Sequence, residues 1–313
     1  MYKTDGLLVL ASAIVAASVA GAANAATIYE KDGLTYKMKG DWQIQLRQDA
    51  GDDQNLDVEF DDLEIKNSIT YDLGNGLTAF GQLDFGFKDD AEGKKDGSKL
   101  EEAYVGLAYE NVALSIGERD FGSDEFGVEA AYENTLSEDG FDSQGTHGND
   151  VVRLDAAFGA VNLIASVELE SDGESSADGE VFDLFASTEL NNLQLAAAYQ
   201  TMKVTPNADS VDTWGVSAMY DAGMVEVGAD FSAIEDTADQ ANIVAKVAVN
   251  KSTKVAIGAT NIEPEAGDDV TEWYANVTYN FPAQKNVSVF AEIADTDEDN
   301  VDAGFLTGMR VKF

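Results

Sequence analysis

The sequence predicts an all-β protein, an antiparallel up-and-down transmembrane β-barrel of 16 strands. After residue 25, apolar and polar side chains alternate in segments of about ten residues, the length of a tilted strand that crosses a bilayer. Tight turns and longer acidic loops separate these segments. Beyond the N-terminal segment, no run approaches the roughly 20 apolar residues that a membrane-spanning helix needs.

The N-terminus has the pattern of a secretory signal peptide. Residues 7–23 are apolar and small, and Ala23-Asn24-Ala25 matches an A-x-A cleavage site. We therefore expect export, with a cleaved signal peptide at residues 1–25 and a single barrel domain at residues 26–313. The apolar stretch is preceded by only one basic residue, accompanied by one acidic residue, so a retained anchor helix is the alternative.

The strands are identified by a period of two in the side-chain pattern. In the first strand, for example, Trp42, Ile44 and Leu46 alternate with polar side chains. Sixteen such segments are predicted, near residues 33–47, 59–73, 76–88, 99–110, 111–119, 151–159, 160–170, 180–190, 192–203, 211–222, 223–234, 240–249, 252–262, 270–281, 286–295 and 303–313. An even number brings both chain ends to the turn side, where the first and last strands pair and leave no open edge in lipid. Counts of about 14 or 18 stay open, because strand boundaries are soft.

The connections favour a membrane barrel over a soluble sandwich, whose strands also alternate. Short links such as Gly74-Asn75-Gly76 and Asn191-Asn192 have tight-turn chemistry, whereas stretches such as 171–179 and 263–269 are longer and acidic. Two unlike ends are typical of transmembrane barrels. The alternative is a secreted or surface-associated, acidic, soluble β-rich binding protein or adhesin, which would bury its apolar faces in its own core.

Composition excludes several classes of function. The chain carries 59 acidic and 19 basic side chains, a formal net charge of −40, and such a field repels nucleic acid. With 44% hydrophobic and 9% aromatic residues, the chain has more apolar surface than disordered acidic proteins do. The absence of cysteine excludes disulfides, thiolate nucleophiles and cysteine-ligated zinc.

Enzymatic chemistry and tight metal binding find little support in the sequence. His147 is the only histidine and lies near Ser143, but no suitably spaced acidic residue or nucleophile motif completes a hydrolase. Residues 295–299 have the alternate aspartates of a calcium loop without its sixth-position glycine and closing glutamate. We therefore expect no enzyme and no cofactor. Loose divalent-cation binding by acidic loops stays open, with surface hydration as the alternative, at Asp52, Asp53, Asp268, Asp269 and Asp295.

The last predicted strand ends the chain on an aromatic residue. Phe305, Thr307, Met309, Val311 and Phe313 form a largely apolar stripe on one of its faces. An amphipathic strand that closes on phenylalanine resembles the signal read by the bacterial barrel-assembly machinery. The residues that would carry this signal are Phe313, Val311 and Met309.

Three motifs in the first third of the chain are similar to those of a known family. They are Asp72-Leu73-Gly74-Asn75-Gly76-Leu77, Phe80-Gly81-Gln82-Leu83-Asp84-Phe85 and Ala103-Tyr104-Val105-Gly106-Leu107. They resemble the Gram-negative general (diffusion) porin family. The resemblance implies a homotrimer in the bacterial outer membrane that contacts the lipid bilayer and lipopolysaccharide. It also implies a water-filled channel for passive diffusion of small hydrophilic solutes and ions.

In this family the third extracellular loop folds into the barrel and narrows it, and here the long segment 120–150 falls in that place. Its sequence Asp124-Glu125-Phe126-Gly127-Val128 resembles the family's P-E-F-G-G constriction motif. The resemblance therefore implies that Glu125 lines the constriction. Asp124, Glu129 and Glu133 are acidic neighbours that we include as candidates, and a solvated acidic loop is the alternative.

The family's basic wall, which faces this loop, is thinned in this sequence. Glu64 and Glu101 stand where the resemblance places arginines of the second and fourth strands, and Gly117-Glu118-Arg119-Asp120 resembles G-R-Q-D with its arginine moved by one place. Strand parity points several cations inward, since a cation facing lipid near mid-bilayer costs roughly 2–4 kcal/mol. The candidates for the remaining basic wall are Lys66, Arg47 and Arg153. Because carboxylates dominate, we predict a cation-selective pore, although the inward cations could instead serve to pair with lumen carboxylates.

Overall fold

The computed structural model describes residues 25–93, 97–132, 136–169, 180–203, 205 and 208–313. The predicted signal peptide lies outside the described residues except for its last position. Within these residues the chain is nearly all β, with seventeen strands: β1 Ala26–Lys31, β2 Leu34–Gln48, β3 Asp57–Gly74, β4 Leu77–Gly86, β5 Lys99–Tyr109, β6 Val112–Asp120, β7 His147–Phe158, β8 Val161–Glu168, β9 Val181–Leu190, β10 Leu193–Met202, β11 Val211–Asp221, β12 Val225–Ile234, β13 Ala238–Ala248, β14 Thr253–Pro264, β15 Val270–Phe281, β16 Gln284–Thr296 and β17 Gly304–Lys312.

Strands β2 to β17 form a closed barrel of sixteen antiparallel strands, as predicted. Each pairs with its neighbour in the chain, and β17 pairs with β2 from Phe305 opposite Gln48 to Lys312 opposite Asp41. This last ladder removes the open edge that an unclosed sheet would present to lipid.

Strand β1 was not predicted. It pairs with β2 from Ala26 opposite Met38 to Lys31 opposite Leu34, whereas β17 covers the rest of the same edge of β2. Strands β1 and β17 therefore lie end to end along one edge of β2. The physical reason for β1 is that β2 is longer than β17, so part of its edge would otherwise have unpaired backbone groups.

The apolar stripe of each strand faces outward, which confirms the predicted alternation. In β2, the Trp42 side chain is 45% exposed, and Ile44 and Leu46 are similarly exposed, whereas the intervening Gln43 is 1% exposed and Gln45 is buried. The same pattern recurs around the barrel. An exposed apolar belt around a polar interior contradicts the soluble alternative, because a soluble protein buries such stripes in its core.

Short turns join the strands at one end of the barrel. At one of them, Asn75 and Gly76 adopt φ angles of 54° and 80°, the left-handed conformation that two-residue hairpin turns require. Exposed aromatic side chains lie close to these turns and mark a membrane interface: Tyr71, Tyr109, Phe158, Tyr220 and Phe281.

Helical structure among the described residues is limited to short pieces. These are α1 Lys88–Ala91, α2 Gly140–Gln144 and the 3₁₀ turn Gly122–Glu125. None of the described helices has the length and apolar character needed to span a membrane.

The long segment between β6 and β7 is shorter than the predicted 120–150. Strand β6 extends to Asp120 and β7 begins at His147, four residues earlier than predicted. The early start of β7 arises because Arg119 and Asp120 continue the ladder by pairing with Gly148 and His147 beyond a bulge in β7. We call residues 121–146 the loop segment.

Candidate functional site

The loop segment is held by hydrogen bonds from its backbone to side chains of successive strands. The amide of Gly122 donates to Asp183 Oδ1 at 2.7 Å, that of Val128 to Asp230 Oδ2 at 2.9 Å, that of Ala130 to Tyr274 Oη at 2.8 Å and that of Tyr132 to Glu292 Oε2 at 2.7 Å. These acceptors lie on β9, β12, β15 and β16, on the strand faces opposite the exposed apolar stripe. The first half of the segment thus follows the inner faces of the strands from β9 to β16.

The second half of the loop segment returns along the same strands. The amide of Ser137 donates to Glu272 Oε2 at 2.7 Å and that of Gly140 to Ser232 Oγ at 2.9 Å. The Gln200 amide group then donates to the carbonyl oxygen of Gly145 at 3.0 Å. Carboxylates, hydroxyls and an amide of the barrel therefore satisfy backbone groups that the segment has no secondary structure to satisfy.

Apolar contacts add to these hydrogen bonds. Phe126 and Phe141 pack edge to face with ring centroids 4.9 Å apart, and they form one buried cluster with Phe185 and Ala198. Tyr132 stacks on Phe290 with centroids 4.2 Å apart. Aromatic packing of this kind helps to fix the path of the segment.

The loop acids that the sequence singled out differ in their environment. Asp124 and Glu125 are exposed, and Thr146 Oγ1 donates to Asp124 Oδ1 at 2.9 Å. Burial, reinforced by the nearby Glu138 carboxylate, raises the pKa of Glu129 to about 8. Glu133 lies outside the described residues.

A cavity of about 400 Å³ lies beside the loop segment. Glu125 and Glu129 line it from the loop side, and Lys246 lines it from β13. This cavity places two of the predicted loop acids and a lysine of the barrel wall around one space.

We call the inner faces of β17 and β2 to β7 the facing wall, because the loop segment runs along the other strands. Of the predicted basic residues, Lys66 lies on this wall with its Nζ 2.7 Å from Asp84 Oδ2 and 3.1 Å from Glu102 Oε2. Arg47 Nη1 is 2.9 Å from Glu59 Oε2. These distances favour the interpretation in which inward cations pair with carboxylates.

Arg153, the third predicted basic residue, connects the facing wall to the loop segment. Its Nη2 lies 2.9 Å from Asp155 Oδ1, and its Nη1 donates to the carbonyl oxygens of Asp120 and Phe121 at 3.1 and 3.2 Å. It thus holds the point at which the loop segment leaves β6.

The structure brings Glu64 and Glu101 together with a third carboxylate that sequence analysis missed. One carboxylate oxygen from each of Glu64, Asp84 and Glu101 lies within 4.8 Å of the others. The signal for Asp84 was present in the sequence, because its parity on β4 is that of an inward residue and it pairs with Lys66 across the ladder.

Arg119 is a second residue that the sequence analysis left unassigned. It is 3% exposed, its guanidinium carbon lies 4.2 Å from the centroid of the Tyr104 ring, and it donates to Ser115. The shifted arginine of the G-R-Q-D-like motif thus stays on the inner face, where a cation–π contact holds it.

His147 is the first residue of β7. The sequence had placed it in the long loop, and this placement was wrong. Its Nδ1 lies 3.0 Å from Asp120 Oδ1 and its Nε2 lies 3.7 Å from Glu118 Oε1. Each nitrogen of the imidazole ring therefore faces a carboxylate.

The C-terminal residues close the barrel. The amide of Gly40 donates to the carbonyl oxygen of Phe313 at 2.8 Å, and the amide of Phe313 donates to the carbonyl oxygen of Gly40 at 3.0 Å. The Phe313 ring packs edge to face on Trp42, with centroids 5.3 Å apart. Met309 is exposed on the apolar stripe opposite Ile44 of β2, and the pair of Val311 and Trp42 follows two residues later.

Comparison with known proteins identifies the family. The family model for Gram-negative porins matches residues 11–301. The chain belongs to this family. Among its relatives is the porin-like protein H of Photobacterium profundum, which is 27% identical over 96% of this chain and 98% of its own length. The protein is therefore an outer-membrane porin whose barrel contacts lipid.

Solved structures share the fold of this porin. The trimer form of OmpT, an outer membrane protein of Vibrio cholerae, superposes with a TM-score of 0.72 over 90% of this chain and all of its own, at 17% identity. An anion-selective porin from Comamonas acidovorans superposes with a TM-score of 0.74 over the same shares of the two chains, at 14% identity. Since an anion-selective porin has this fold, the fold alone does not set the selectivity of the pore.

Proposed function

We propose that this porin forms a water-filled, cation-selective channel through which small hydrophilic solutes and ions diffuse passively. The observation that carries the proposal is the charge around Lys66, where four carboxylates surround one ammonium group. Two of them contact it, at 2.7 and 3.1 Å, and two complete the carboxylate cluster: Asp84, Glu102, Glu64 and Glu101.

The selectivity follows from the electrostatics of a narrow pore. The loop segment, folded into the lumen, narrows the water column so that solutes pass between Glu125 and the facing wall. Fixed carboxylates that outnumber nearby cations attract counterions and repel anions from such a passage. Screening weakens this effect as salt rises, because the Debye length falls from about 30 Å at 0.01 M to about 10 Å at 0.1 M.

The test is the reversal potential of the purified protein in a planar bilayer under a KCl gradient. We expect a sign that corresponds to preferential K⁺ permeation, with a larger preference at 0.01–0.1 M than at 0.1–1 M salt. A reversal potential of the opposite sign would exclude the proposed selectivity.

We further infer the form of the protein in the cell. A signal peptide of residues 1–25 is removed, residues 26–313 form the single barrel, and the barrel-assembly machinery inserts it as a homotrimer that contacts lipopolysaccharide. The trimer form of OmpT and the Ala23-Asn24-Ala25 motif support this inference. N-terminal sequencing of protein from outer membranes should begin at Ala26, and unboiled samples should migrate on gels as trimers.

A further inference from the structure

Three neighbouring strands of the facing wall each contribute one carboxylate to a compact cluster. Glu64 lies on β3, Asp84 on β4 and Glu101 on β5, and one oxygen from each lies within 4.8 Å of the other two. Three carboxylates this close repel one another when all are ionised, unless a positive charge lies between them.

A β-bulge turns Glu101 into this cluster. Phe85 pairs with Leu100 and Asp84 pairs with Glu102, so Glu101 is an extra residue in β5. Regular alternation would point Glu101 outward, since its neighbour Glu102 is buried on the inner face. Bulges commonly redirect a side chain in this way.

A glycine provides the room for the redirected side chain. The Glu101 carboxylate occupies the space where a Cβ atom at position 86 would lie, so any larger residue than Gly86 would overlap it. The bulge and the glycine together make the space that the Glu101 carboxylate occupies.

Asp84 is the buried member of the cluster. It is 2% exposed, and its Oδ2 contacts Lys66 Nζ at 2.7 Å. Its Oδ1 is also buried and has no hydrogen-bond partner among the residues that the structure describes. A buried carboxylate oxygen left in this state is costly, and a bound cation would satisfy it.

From these observations we propose that Glu64, Asp84 and Glu101 bind a divalent cation on the inner wall of the barrel, with Ca²⁺ preferred over Mg²⁺. Ca²⁺ accepts the irregular geometry that carboxylates from three separate strands provide, whereas Mg²⁺ demands a near-ideal octahedron and gives up its water reluctantly. The cluster opens on a cavity of about 450 Å³, which leaves room for the water molecules that complete a six- to eight-fold shell.

Lys66 limits the affinity of this site. Its ammonium group occupies one side of the Asp84 carboxylate and repels the incoming ion. Three carboxylates with one opposing charge place the dissociation constant near the weak end of protein calcium sites, about 10⁻⁴–10⁻³ M. Ca²⁺ would occupy the site at the concentrations that extracellular calcium modules sense.

The experiment is calorimetric titration of CaCl₂ into the purified, detergent-solubilised trimer in 0.1 M KCl, which does not depend on conduction. Asp84→Asn and Glu101→Gln remove ligand charge, and Gly86→Ala displaces Glu101 without changing any charge. We expect each to weaken binding by at least about tenfold, the loss typical for disturbed metal sites. Glu263→Gln, at the rim and outside the cluster, is the matched control and should leave this binding unchanged.

Lys66→Gln should change the Ca²⁺ affinity in the opposite direction, which distinguishes the proposed site from general damage to the barrel. It should tighten Ca²⁺ binding, because it removes the opposing charge, whereas a misfolded barrel would bind more weakly. Retention of heat-modifiable migration checks the fold of every variant. The proposal is overturned if Gly86→Ala and Glu101→Gln bind Ca²⁺ as the parent does, if Lys66→Gln weakens binding, or if Mg²⁺ competes as well as Ca²⁺.

Discussion

At the residue scale, several cations of the inner face are already bound to carboxylates. Arg310 Nη2 lies 2.7 Å from Asp41 Oδ2, and Lys312 Nζ lies 2.9 Å from the same oxygen. Paired cations offer little positive potential to a passing anion, because the partner carboxylate offsets each of them. The exposed loop acids therefore have a large influence on which ions pass.

Glu125 should contribute directly to selectivity, because it is exposed in the loop segment and lines the cavity beside it. Glu125→Gln should reduce the K⁺ to Cl⁻ permeability ratio, and Glu125→Lys should reduce it further, by a total of severalfold at about 0.1 M salt. Asp236→Asn, in an exposed loop at the rim, is the control and should have little effect. Equal ratios for the parent and Glu125→Lys would show that Glu125 does not line the constriction.

Glu129 should make the selectivity depend on pH. Its pKa is raised to about 8 by burial and by Glu138, so the side chain is largely neutral at pH 7 and charged at pH 9. Cation preference measured by reversal potential should therefore rise from pH 7 to pH 9, and Glu129→Gln should reduce that rise. An identical pH profile in the variant would contradict this assignment.

The same pKa predicts how pH affects the stability of the loop segment. Between the ordinary glutamate value of 4.5 and about 8, the folded protein binds more protons at Glu129 than the unfolded chain does. Folding is therefore favoured at the acidic end of this window, and this contribution is lost as the pH rises through 8. We therefore expect amide exchange in the loop segment, corrected for the intrinsic rate, to be faster at pH 9 than at pH 7.

At the element scale, the loop segment is an irregular chain fixed by the strands around it. Its amides bind side chains that come from β9, β12, β15 and β16, which are far apart in sequence. Each bond contributes about 0.5–1.5 kcal/mol, with more at the charged acceptors. The segment should therefore loosen in stages as single anchors are removed, and not all at once.

Tyr274→Phe tests one anchor alone. It removes the hydroxyl that accepts from the Ala130 amide at 2.8 Å and keeps the buried ring. The amide is left without its partner, which should cost about 1–3 kcal/mol and speed amide exchange of residues 128–132 by at least about tenfold. Tyr220→Phe, on the exposed apolar belt, is the control. If exchange is unchanged in Tyr274→Phe, this hydrogen bond does not hold the segment.

At the scale of the whole molecule, closure decides whether the barrel can exist in lipid. The edge of β2 is shared by β17 and β1, and Phe313 exchanges hydrogen bonds with Gly40 where the two strands adjoin. Because a bilayer offers no water to an unpaired edge, loss of this junction affects every strand.

Phe313→Ala should reduce assembly of the barrel. It removes the ring that packs on Trp42 and the aromatic end of the last strand, and it should lower the fraction of heat-modifiable trimer in outer membranes severalfold. Phe281→Ala, an exposed aromatic at the same rim, loses comparable apolar area and is the control. Equal assembly of the two variants would show that Phe313 carries no special signal.

Much of the fold followed from local sequence. The period-two pattern identified all sixteen barrel strands and their outward faces, since alternation is a property of each strand by itself. Turn residues such as Asn75 and Gly76 fixed the hairpins, because the conformation they adopt is rare for other residues. Strand β1 was not predicted, because its pairing depends on the length of β2 relative to β17, which lies at the other end of the chain.

The candidate site was predicted only in part. Parity placed Lys66 and Arg153 on the inner face, but it would have placed Glu101 outward, and only the bulge opposite Gly86 turns it inward. The path of the loop segment likewise depends on acceptors more than 60 residues away in sequence, such as Asp183, Asp230 and Glu292.

The sequence by itself determined that this protein is a closed, outward-apolar barrel with an acidic interior, because strand alternation and net charge need no knowledge of the partners. Only the tertiary structure decided which carboxylates meet, which cations are offset and where the loop segment runs. The physical reason is that a charge acts through distance in space, and neighbouring strands bring together residues whose separation in the chain says nothing about that distance.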